Sequence, residues 1–276
     1  MNRLILIFPL ILAAATARAE PTSQPAAVGR IEAKAIAESS GLVESRQYPG
    51  VYWTENDSGN PAALYAITRE GKLLGTFPVR AANRDWEDLA IDDAGRIYIA
   101  ETGNNDRRHA EVAVYRVAEP DPRATPMALA VERTWRLKFP AEPFDCESLF
   151  VWNGYGYLVS KHRDGTDASM YRFPLAEEKQ VEPATLEKVG TLAVPFPATA
   201  ADVSRDGKRL AVMTVMGPYL FRIDGDPAVA CSAHAKASHF FWIDPNMEAV
   251  CFTAGGLLAT NERRDVVLFR EEWFEK

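Results

Sequence analysis

One short pattern recurs five times along this chain. In each copy an acidic or polar segment leads into an apolar residue, here termed the anchor, and a run with an aromatic residue follows. The leading segments are Glu38–Leu42, Asp85–Leu89, Asp145–Leu149, Thr199–Val203 and Asn246–Val250. The aromatic runs are Leu64–Ile67, Val114–Val117, Met170–Phe173, Leu220–Ile223 and Leu268–Arg270. Repetition at this period is typical of solenoids, propellers and arrays, in which each repeat is one supersecondary unit.

The distance between the repeats favours a closed propeller. Successive anchors are 47, 60, 54 and 47 residues apart, which is enough for four short strands and their loops. The two ends of the chain together supply one more unit of this length, so residues 30–36 are expected to form the outermost strand beside residues 266–270. Such closure protects sheet edges. We predict an all-β, five-bladed β-propeller of four-stranded antiparallel blades, with a six-bladed ring as the alternative.

The first residues have the features of an export signal. A basic start (Met1–Arg3) precedes an apolar stretch (Leu4–Ala15) and a small-x-small cleavage box (Ala17–Ala19). We expect residues 1–19 to be removed, leaving residues 20–276 as a single propeller domain that is periplasmic or secreted. The alternative is an uncleaved N-terminal anchor. No later segment is apolar enough for a membrane span. We also expect the protein to be a monomer.

Composition excludes some partners and leaves others open. The formal net charge is −7, and the chain has no basic stripe and no glycine-rich phosphate loop. A nucleic-acid or anionic-membrane surface is therefore not expected, whereas a cation or a cationic ligand is compatible with the charge.

The three cysteines, Cys146, Cys231 and Cys251, allow at most one disulfide. Small buried hydrophobes without any bridge are the alternative.

The candidate site lies in the leading segments. Two residues before each anchor lie Ser40, Glu87, Glu147, Ala201 and Glu248, and four before it lie Glu38, Asp85, Asp145, Thr199 and Asn246. Innermost strands line the channel of a propeller, and side chains two apart share a face of a strand. The predicted metal ligands are therefore the six acids of these sets: Glu38, Asp85, Glu87, Asp145, Glu147 and Glu248. Clustered carboxylates suit Ca²⁺, but the same acids could instead fasten neighbouring blades.

A second set of polar residues is expected at the same mouth. Glu101, Lys161 and Glu262 each follow a glutamate of the first set by fourteen residues, at the ends of the second strands. Asp57 is their counterpart in the first repeat, and the fourth offers only Val215. Because antiparallel strand two returns to where strand one began, these groups should meet the acids. The predicted ligand-binding residues are Asp57, Glu101, Asn104, Lys161, His162 and Glu262, with Asn105 and Arg107 also on the rim.

Four motifs also resemble a known group of proteins. Glu38–Leu42, Asn56–Gly59, Asp85–Leu89 and Gly103–Asn105 are similar to segments of exported bacterial β-propellers of the SdiA-regulated type. The resemblance is tightest over residues 36–117. It implies an extracytoplasmic propeller with a Ca²⁺ site. A more distant similarity links the chain to calcium-dependent lactonase propellers, which have six blades.

Two classes of function remain after this reading. The first is a binding or scaffolding propeller whose channel mouth holds a metal, with a small polar ligand or a protein as partner. The second is a metal-dependent hydrolase of a lactone, ester or phosphoester, in which a carboxylate or His162 moves the proton. The chain shows no nucleophile elbow and no zinc-ligand spacing among its four histidines. We therefore expect neither a serine hydrolase nor a zinc enzyme.

Overall fold

The computed structural model describes residues 24–125, 127–178 and 180–274. The predicted signal peptide, residues 1–19, lies outside these residues. Among these residues there is no helix with the length and apolar character that a membrane crossing requires.

Twenty-one β-strands build five sheets arranged as a five-bladed propeller, which confirms the predicted fold. In chain order they are β1 (Ala26–Arg30), β2 (Ser39–Glu44), β3 (Val51–Asn56), β4 (Ala63–Thr68), β5 (Leu73–Pro78), β6 (Trp86–Ile91), β7 (Arg96–Glu101), β8 (Glu111–Ala118), β9 (Arg133–Lys138), β10 (Cys146–Trp152), β11 (Tyr155–Ser160), β12 (Ser169–Pro174), β13 (Ala184–Thr185), β14 (Glu187–Thr191), β15 (Ala198–Val203), β16 (Arg209–Thr214), β17 (Tyr219–Arg222), β18 (Ala237–His239), β19 (Met247–Thr253), β20 (Gly256–Asn261) and β21 (Asp265–Arg270). Two short 3₁₀ turns, Pro227–Cys231 and Glu271–Trp273, complete the described elements.

Each blade is an antiparallel sheet that begins at the channel. Blade 1 is β2-β3-β4-β5, blade 2 is β6-β7-β8-β9, blade 3 is β10-β11-β12-β14 and blade 4 is β15-β16-β17-β18. Blade 2 gains a parallel outer strand, β13, beside β9. The hairpins follow from local sequence: Asn153 and Gly154 adopt φ of 49° and 77° between the paired residues Trp152 and Tyr155. Two left-handed residues in a two-residue loop match the twist of the flanking strands.

Blade 5 is closed by both ends of the chain, in the order β19-β20-β21-β1. The closing strand lies four residues earlier than predicted, because β1 pairs Ala26 with Leu268 and ends where Arg30 meets Asp265. Ile31 and Ile36, which were expected inside that strand, are fully buried in the core between blades 5 and 1. Burying these two side chains takes the chain away from the edge of the sheet and toward β2.

The core is divided into five clusters, one between each pair of neighbouring blades. Trp53 and Trp135 lie in two of them and pack neighbouring blades together. Each large apolar side chain that is fully buried contributes about 1.5–3 kcal/mol. Cys146 and Cys251 are buried and Cys231 is half-buried, and all three are free thiols. The alternative without a disulfide is therefore the observed one.

Buried aspartates join the innermost strands to one another. The Asp88 carboxylate on β6 accepts hydrogen bonds from the backbone N–H groups of Leu149 on β10 (2.8 Å) and Ala201 on β15 (3.2 Å). Asp202 on β15 accepts one from Phe252 on β19 (2.7 Å). These aspartates directly precede the anchors of the second and fourth repeats. They fasten neighbouring blades to one another and fix the strands that carry the candidate site.

Candidate functional site

All five innermost strands are irregular at the same end of the channel. The pairing register with the second strand shifts between Ser39 and Leu42, Trp86 and Asp88, Cys146 and Leu149, Ala198 and Ala200, and Met247 and Ala249. Such β-bulges re-aim a side chain, and they often stand beside functional sites. Glu87, Glu147 and Glu248 lie within these shifts. The prediction assumed regular alternation along the strand, so it found these residues without knowing what orients them.

The bulges also correct the alignment of the fourth repeat. Thr199 occupies the irregular position in β15, whereas the sequence comparison placed Ala201 opposite the glutamates. The fourth blade is therefore offset by two residues relative to its anchor, Val203. It contributes a threonine, not an acid, at the position where three other blades contribute glutamate.

The second set of residues is shifted by two positions in blade 2. In blades 1, 3 and 5, the N–H groups of Asp57, Lys161 and Glu262 donate to carbonyls of the leading segments at 2.9–3.1 Å. In blade 2 the equivalent donor is Gly103, at 3.2 Å from the Asp85 carbonyl. Glu101 therefore does not occupy the position equivalent to Asp57, Lys161 and Glu262 that the sequence predicted for it.

Glu101 supports the site without facing it. Its carboxylate accepts hydrogen bonds from the backbone N–H groups of Arg84 (3.1 Å) and Asp85 (3.0 Å). Gly103 takes the position predicted for Glu101, and only a glycine fits there because two carboxylates lie against its Cα. A Cβ at Gly103 would lie 2.1 Å from Glu87 Oε1 and 2.3 Å from Asp85 Oδ2. The missing side chain makes room for both carboxylates.

A cavity of about 470 Å³ lies at this end of the channel, and its charged lining residues are Asp57, Glu87, Glu147, Lys161, Arg163, Glu248 and Glu262. We call this end the acidic mouth. It consists of Asp57, Asp85, Glu87, Asp145, Glu147, Glu248 and Glu262, together with the basic residues Lys161 and Arg163. Blade 4 differs from the rest, because it lines the cavity with Pro197, Val215 and Pro245.

Two groups of three carboxylates share one residue. In each group, one oxygen from every member lies within 4.8 Å of the others; the groups are Asp57, Asp85 and Glu87, and Glu87, Asp145 and Glu147. Asp145 Oδ1 accepts a hydrogen bond from Asn104 N at 3.0 Å. Asp145 Oδ2 is buried and has no hydrogen-bond partner among the described residues. Glu87 is therefore the centre of a cluster in which one buried oxygen is left unsatisfied.

Burial makes ionisation of this cluster costly. It raises the pKa of Glu87 well above its usual range, with the charge of Glu147 as the next cause. Burial also raises the pKa of Glu147 to about 8, although the Lys161 ammonium in contact with it opposes that rise. The pKa of Glu248 rises to about 7 by burial, again against the effect of Lys161. A bound cation would offset the same repulsion.

Three of the predicted residues lie beside the acidic mouth without joining the carboxylate groups. Glu38 accepts a hydrogen bond from Asn60 Nδ2 at 2.7 Å. The Asn104 side chain holds its own loop through both backbone groups of His109, each at 3.0 Å. His162 Nε2 lies 2.8 Å from Ser160 Oγ and does not line the cavity.

The sequence analysis missed Gly103, Arg163 and the apolar wall of blade 4. Only the glycine had a sequence signal, since it belongs to the motif Gly103–Asn105, but the spacing of the repeat placed Glu101 in its position. Arg163 approaches Glu147 Oε1 at 4.0 Å, and its position depends on a loop that the repeat does not define.

The donor set of the acidic mouth consists of carboxylate oxygens. Such donors fit a hard cation, since Ca²⁺ binds six to eight oxygens in adaptable geometry.

No protein-family model and no curated protein matches this chain by sequence. Among solved structures, hydrazine synthase from Kuenenia stuttgartiensis is 14% identical with a TM-score of 0.45; the alignment covers 82% of this chain and 56% of that one, just over half its length. Virginiamycin B lyase from Staphylococcus aureus is 12% identical (TM-score 0.43, covering 91% and 67%), and a nidogen/laminin complex is 11% identical (0.47, 82% and 73%). Because these TM-scores are below 0.5, we draw neither fold nor function from the similarities.

Proposed function

We propose that this chain is an exported β-propeller that binds a divalent cation, Ca²⁺, at its acidic mouth and acts as a ligand-binding or scaffolding module. The observation that carries the proposal is the convergence of two carboxylate groups on Glu87, with Asp145 Oδ2 buried and unpartnered beside it. A buried oxygen without a donor costs about 1–3 kcal/mol or more when charged. A cation at this point would remove that cost. Export and the likeness to SdiA-regulated propellers belong to the same proposal.

The arrangement of charge also favours a cation over a purely structural role. Two structural acids away from the acidic mouth, Asp88 and Asp202, are satisfied by backbone donors. In the acidic mouth, Lys161 contacts only Glu147, and no lysine or arginine of the described residues forms an ion pair with Asp57 or Asp85 on the far side of Glu87. The group of Asp57, Asp85 and Glu87 is therefore the part of the site in which a cation has most to compensate.

A hydrolase has less support than a binding module. The sequence-based alternative relied on His162 as one of its proton carriers, and His162 is bonded to Ser160 outside the cavity lining. A carboxylate of the acidic mouth would have to carry the proton instead. We therefore keep binding as the proposed function.

The test is a calorimetric titration of chelator-treated protein with Ca²⁺, repeated with Mg²⁺. We expect the wild type to bind Ca²⁺. In Glu87→Gln the affinity for Ca²⁺ should fall at least about tenfold, or by about 1.4 kcal/mol of binding free energy, because Glu87 belongs to both carboxylate groups. Glu248→Gln should lose less, since Glu248 is in neither group.

The matched control is Glu44→Gln. Glu44 ends innermost strand β2 at the opposite end of the channel and accepts a hydrogen bond from Tyr52 at 3.3 Å. This variant makes the same change of charge far from the acidic mouth, and its affinity should stay within about twofold of wild type. An absence of binding to wild type, or equal affinities of Glu87→Gln and Glu44→Gln, would contradict the proposal.

A further inference from the structure

The outer edge of blade 4 carries an apolar surface that the cation proposal does not use. After β18, the chain continues extended along the end of the preceding hairpin. The N–H groups of Phe240, Trp242 and Asp244 donate to the carbonyls of Pro218, Met216 and Val215 at 3.1, 3.0 and 3.1 Å. The side chains of Phe240 and Trp242, two residues apart on one face of the segment, pack against the core between blades 4 and 5. Phe240 packs on Phe269 (5.6 Å between ring centroids) and stacks on Trp273 (4.8 Å).

The intervening residues form a strip on the other face. We call His239, Phe241 and Ile243 the blade-4 strip. Phe241 and Ile243 are each 60% exposed, and they are among the few large apolar side chains of the described residues with such exposure. His239 stacks on Tyr219 at 4.0 Å and meets the edge of Phe241 at 6.0 Å. Residues two apart on a strand are about 6.6–6.8 Å apart, so the strip is about 13 Å long.

The backbone of the same residues is directed outward. In an extended edge segment, the N–H and C=O of one residue point to the same side, and those of Phe240 and Trp242 point to the blade. The polar groups of Phe241 and Ile243 therefore point away from it. Edges of this kind are usually protected by charge, by proline or by a covering loop. Here two large apolar side chains stand at the edge instead, which is typical of a strand that adds a partner.

Charge at both ends of the strip indicates the kind of partner. At one end, Tyr219 lies close enough to exposed Asp167 for that carboxylate to contribute, after burial, to its raised pKa. At the other end the strip leads into Pro245, which lines the acidic mouth beside Glu248 and Glu262. A second copy of this chain, which carries a formal charge of −7, would bring acids against acids. A basic partner is complementary.

We propose that the blade-4 strip binds an extended segment of another protein, in which apolar side chains alternate with lysine or arginine. The segment pairs with the outward backbone groups of Phe241 and Ile243 and covers their side chains. Its basic residues lie against the acidic ends of the strip. This interaction requires no bound cation, so it stands independently of the proposed Ca²⁺ site.

The experiment measures, in chelator, the affinity for a capped peptide of alternating lysine and valine and for its matched peptide of glutamate and valine. The expected result is binding of the lysine peptide at least about tenfold tighter than the glutamate peptide, weakening as salt is raised. Phe241→Ser and Ile243→Ser should each weaken it at least about tenfold. Val229→Ser, which removes a 40% exposed apolar side chain from the same blade outside the strip, should leave it unchanged.

Three results would overturn the proposal. The first is binding of neither peptide, and the second is equal binding of both, which would show that charge does not select the partner. The third is a wild-type dimer in sedimentation that Phe241→Ser converts to a monomer, which would make the strip an interface between copies of this chain. Since Phe241 and Ile243 are exposed, their variants should fold, and circular dichroism of each variant verifies this before the affinities are compared.

Discussion

Replacing Glu248 by glutamine should stabilise the cation-free protein at high pH and leave it unchanged at low pH. Burial raises the pKa of Glu248 to about 7 from its ordinary value of 4.5. Below pH 4.5 the carboxyl is protonated in the folded and the unfolded chain, so it carries no electrostatic cost. Between pH 4.5 and 7 the folded state holds the proton more tightly, and stability falls as the pH rises. Above pH 7 the full cost of an ionised buried carboxylate remains.

The magnitude follows from the same two values. A difference of about 2.5 in pKa corresponds to about 3.4 kcal/mol. Because Glu248 is only half-buried, solvent screening reduces the benefit, and we expect Glu248→Gln to raise the free energy of unfolding by about 1–3 kcal/mol at pH 8. For a domain of this size each kcal/mol moves the melting temperature by about 2–4 °C. Saturating Ca²⁺ should shrink the gain, since a bound cation already offsets the charge.

The assay is urea unfolding in chelator at pH 4.5 and pH 8, with Glu182→Gln as the control at an exposed position. The control should change stability by less than about 0.5 kcal/mol at both pH values. Destabilisation by Glu248→Gln at pH 8, or the same effect at both pH values, would refute the reasoning. Either result would mean that a favourable contact stabilises the Glu248 carboxylate in the folded state, and that burial is not the main influence on its pKa.

Three further outcomes are expected. Gly103→Ala should weaken Ca²⁺ binding at least about tenfold in calorimetry while circular dichroism stays unchanged, because its Cβ would meet Glu87 Oε1 at 2.1 Å; wild-type affinity in this variant would exclude Gly103 from the site. Asp88→Ala should lower the free energy of unfolding in urea by about 3–5 kcal/mol, because three backbone N–H groups lose their acceptor; a loss no larger than that of exposed Asp93→Ala would contradict this. In a thiol-reagent assay at pH 8, Cys231, whose pKa burial raises to about 11, should react slowly and the fully buried Cys146 and Cys251 not at all; rapid reaction of all three would show that the blades open.

The fold was predictable because burial acts on every repeat in the same way. Leu42, Leu89 and Leu149 are each almost completely buried between neighbouring blades, so an apolar residue is needed at that register in each. Four short strands fit between successive anchors, and the number of blades followed from counting them. The exact start of β1 was not predictable, since the edge strand has few buried side chains to mark it. Residues 30–36 contained Ile31 and Ile36, which looked like strand residues because they belong to the core.

The candidate site was only partly predictable, since it depends on departures from regular pairing. Glu87, Glu147 and Glu248 could be found because they share a distance from their anchors. The bulges that orient them have no signature in a single sequence. Glu101 was misplaced because blade 2 has two residues more between Asp85 and Gly103 than blades 3 and 5 have over the equivalent stretch. Thr199 was misplaced because the bulge of blade 4 lies two residues earlier. A slip of one residue turns a side chain to the other face of a strand, so small errors of register remove a residue from a site.

At the acidic mouth the backbone hydrogen bonds repeat from blade to blade, whereas the side chains differ. This difference explains how a fold made of repeats can hold a single site. At one equivalent position, four blades present Asp57, Gly103, Lys161 and Glu262 in the same hydrogen-bonding frame, and Val215 takes this place in blade 4. An identical acid in every blade would place five like charges around one axis, and no single ion could balance them. The observed set divides the mouth into a carboxylate cluster on blades 1 to 3, a lysine that contacts only Glu147, an apolar wall on blade 4, and the glutamates Glu248 and Glu262 on blade 5. The backbone repeat therefore provides rigidity, while the differences between blades give the mouth a direction, from the carboxylates around Glu87 toward the wall from which the blade-4 strip extends.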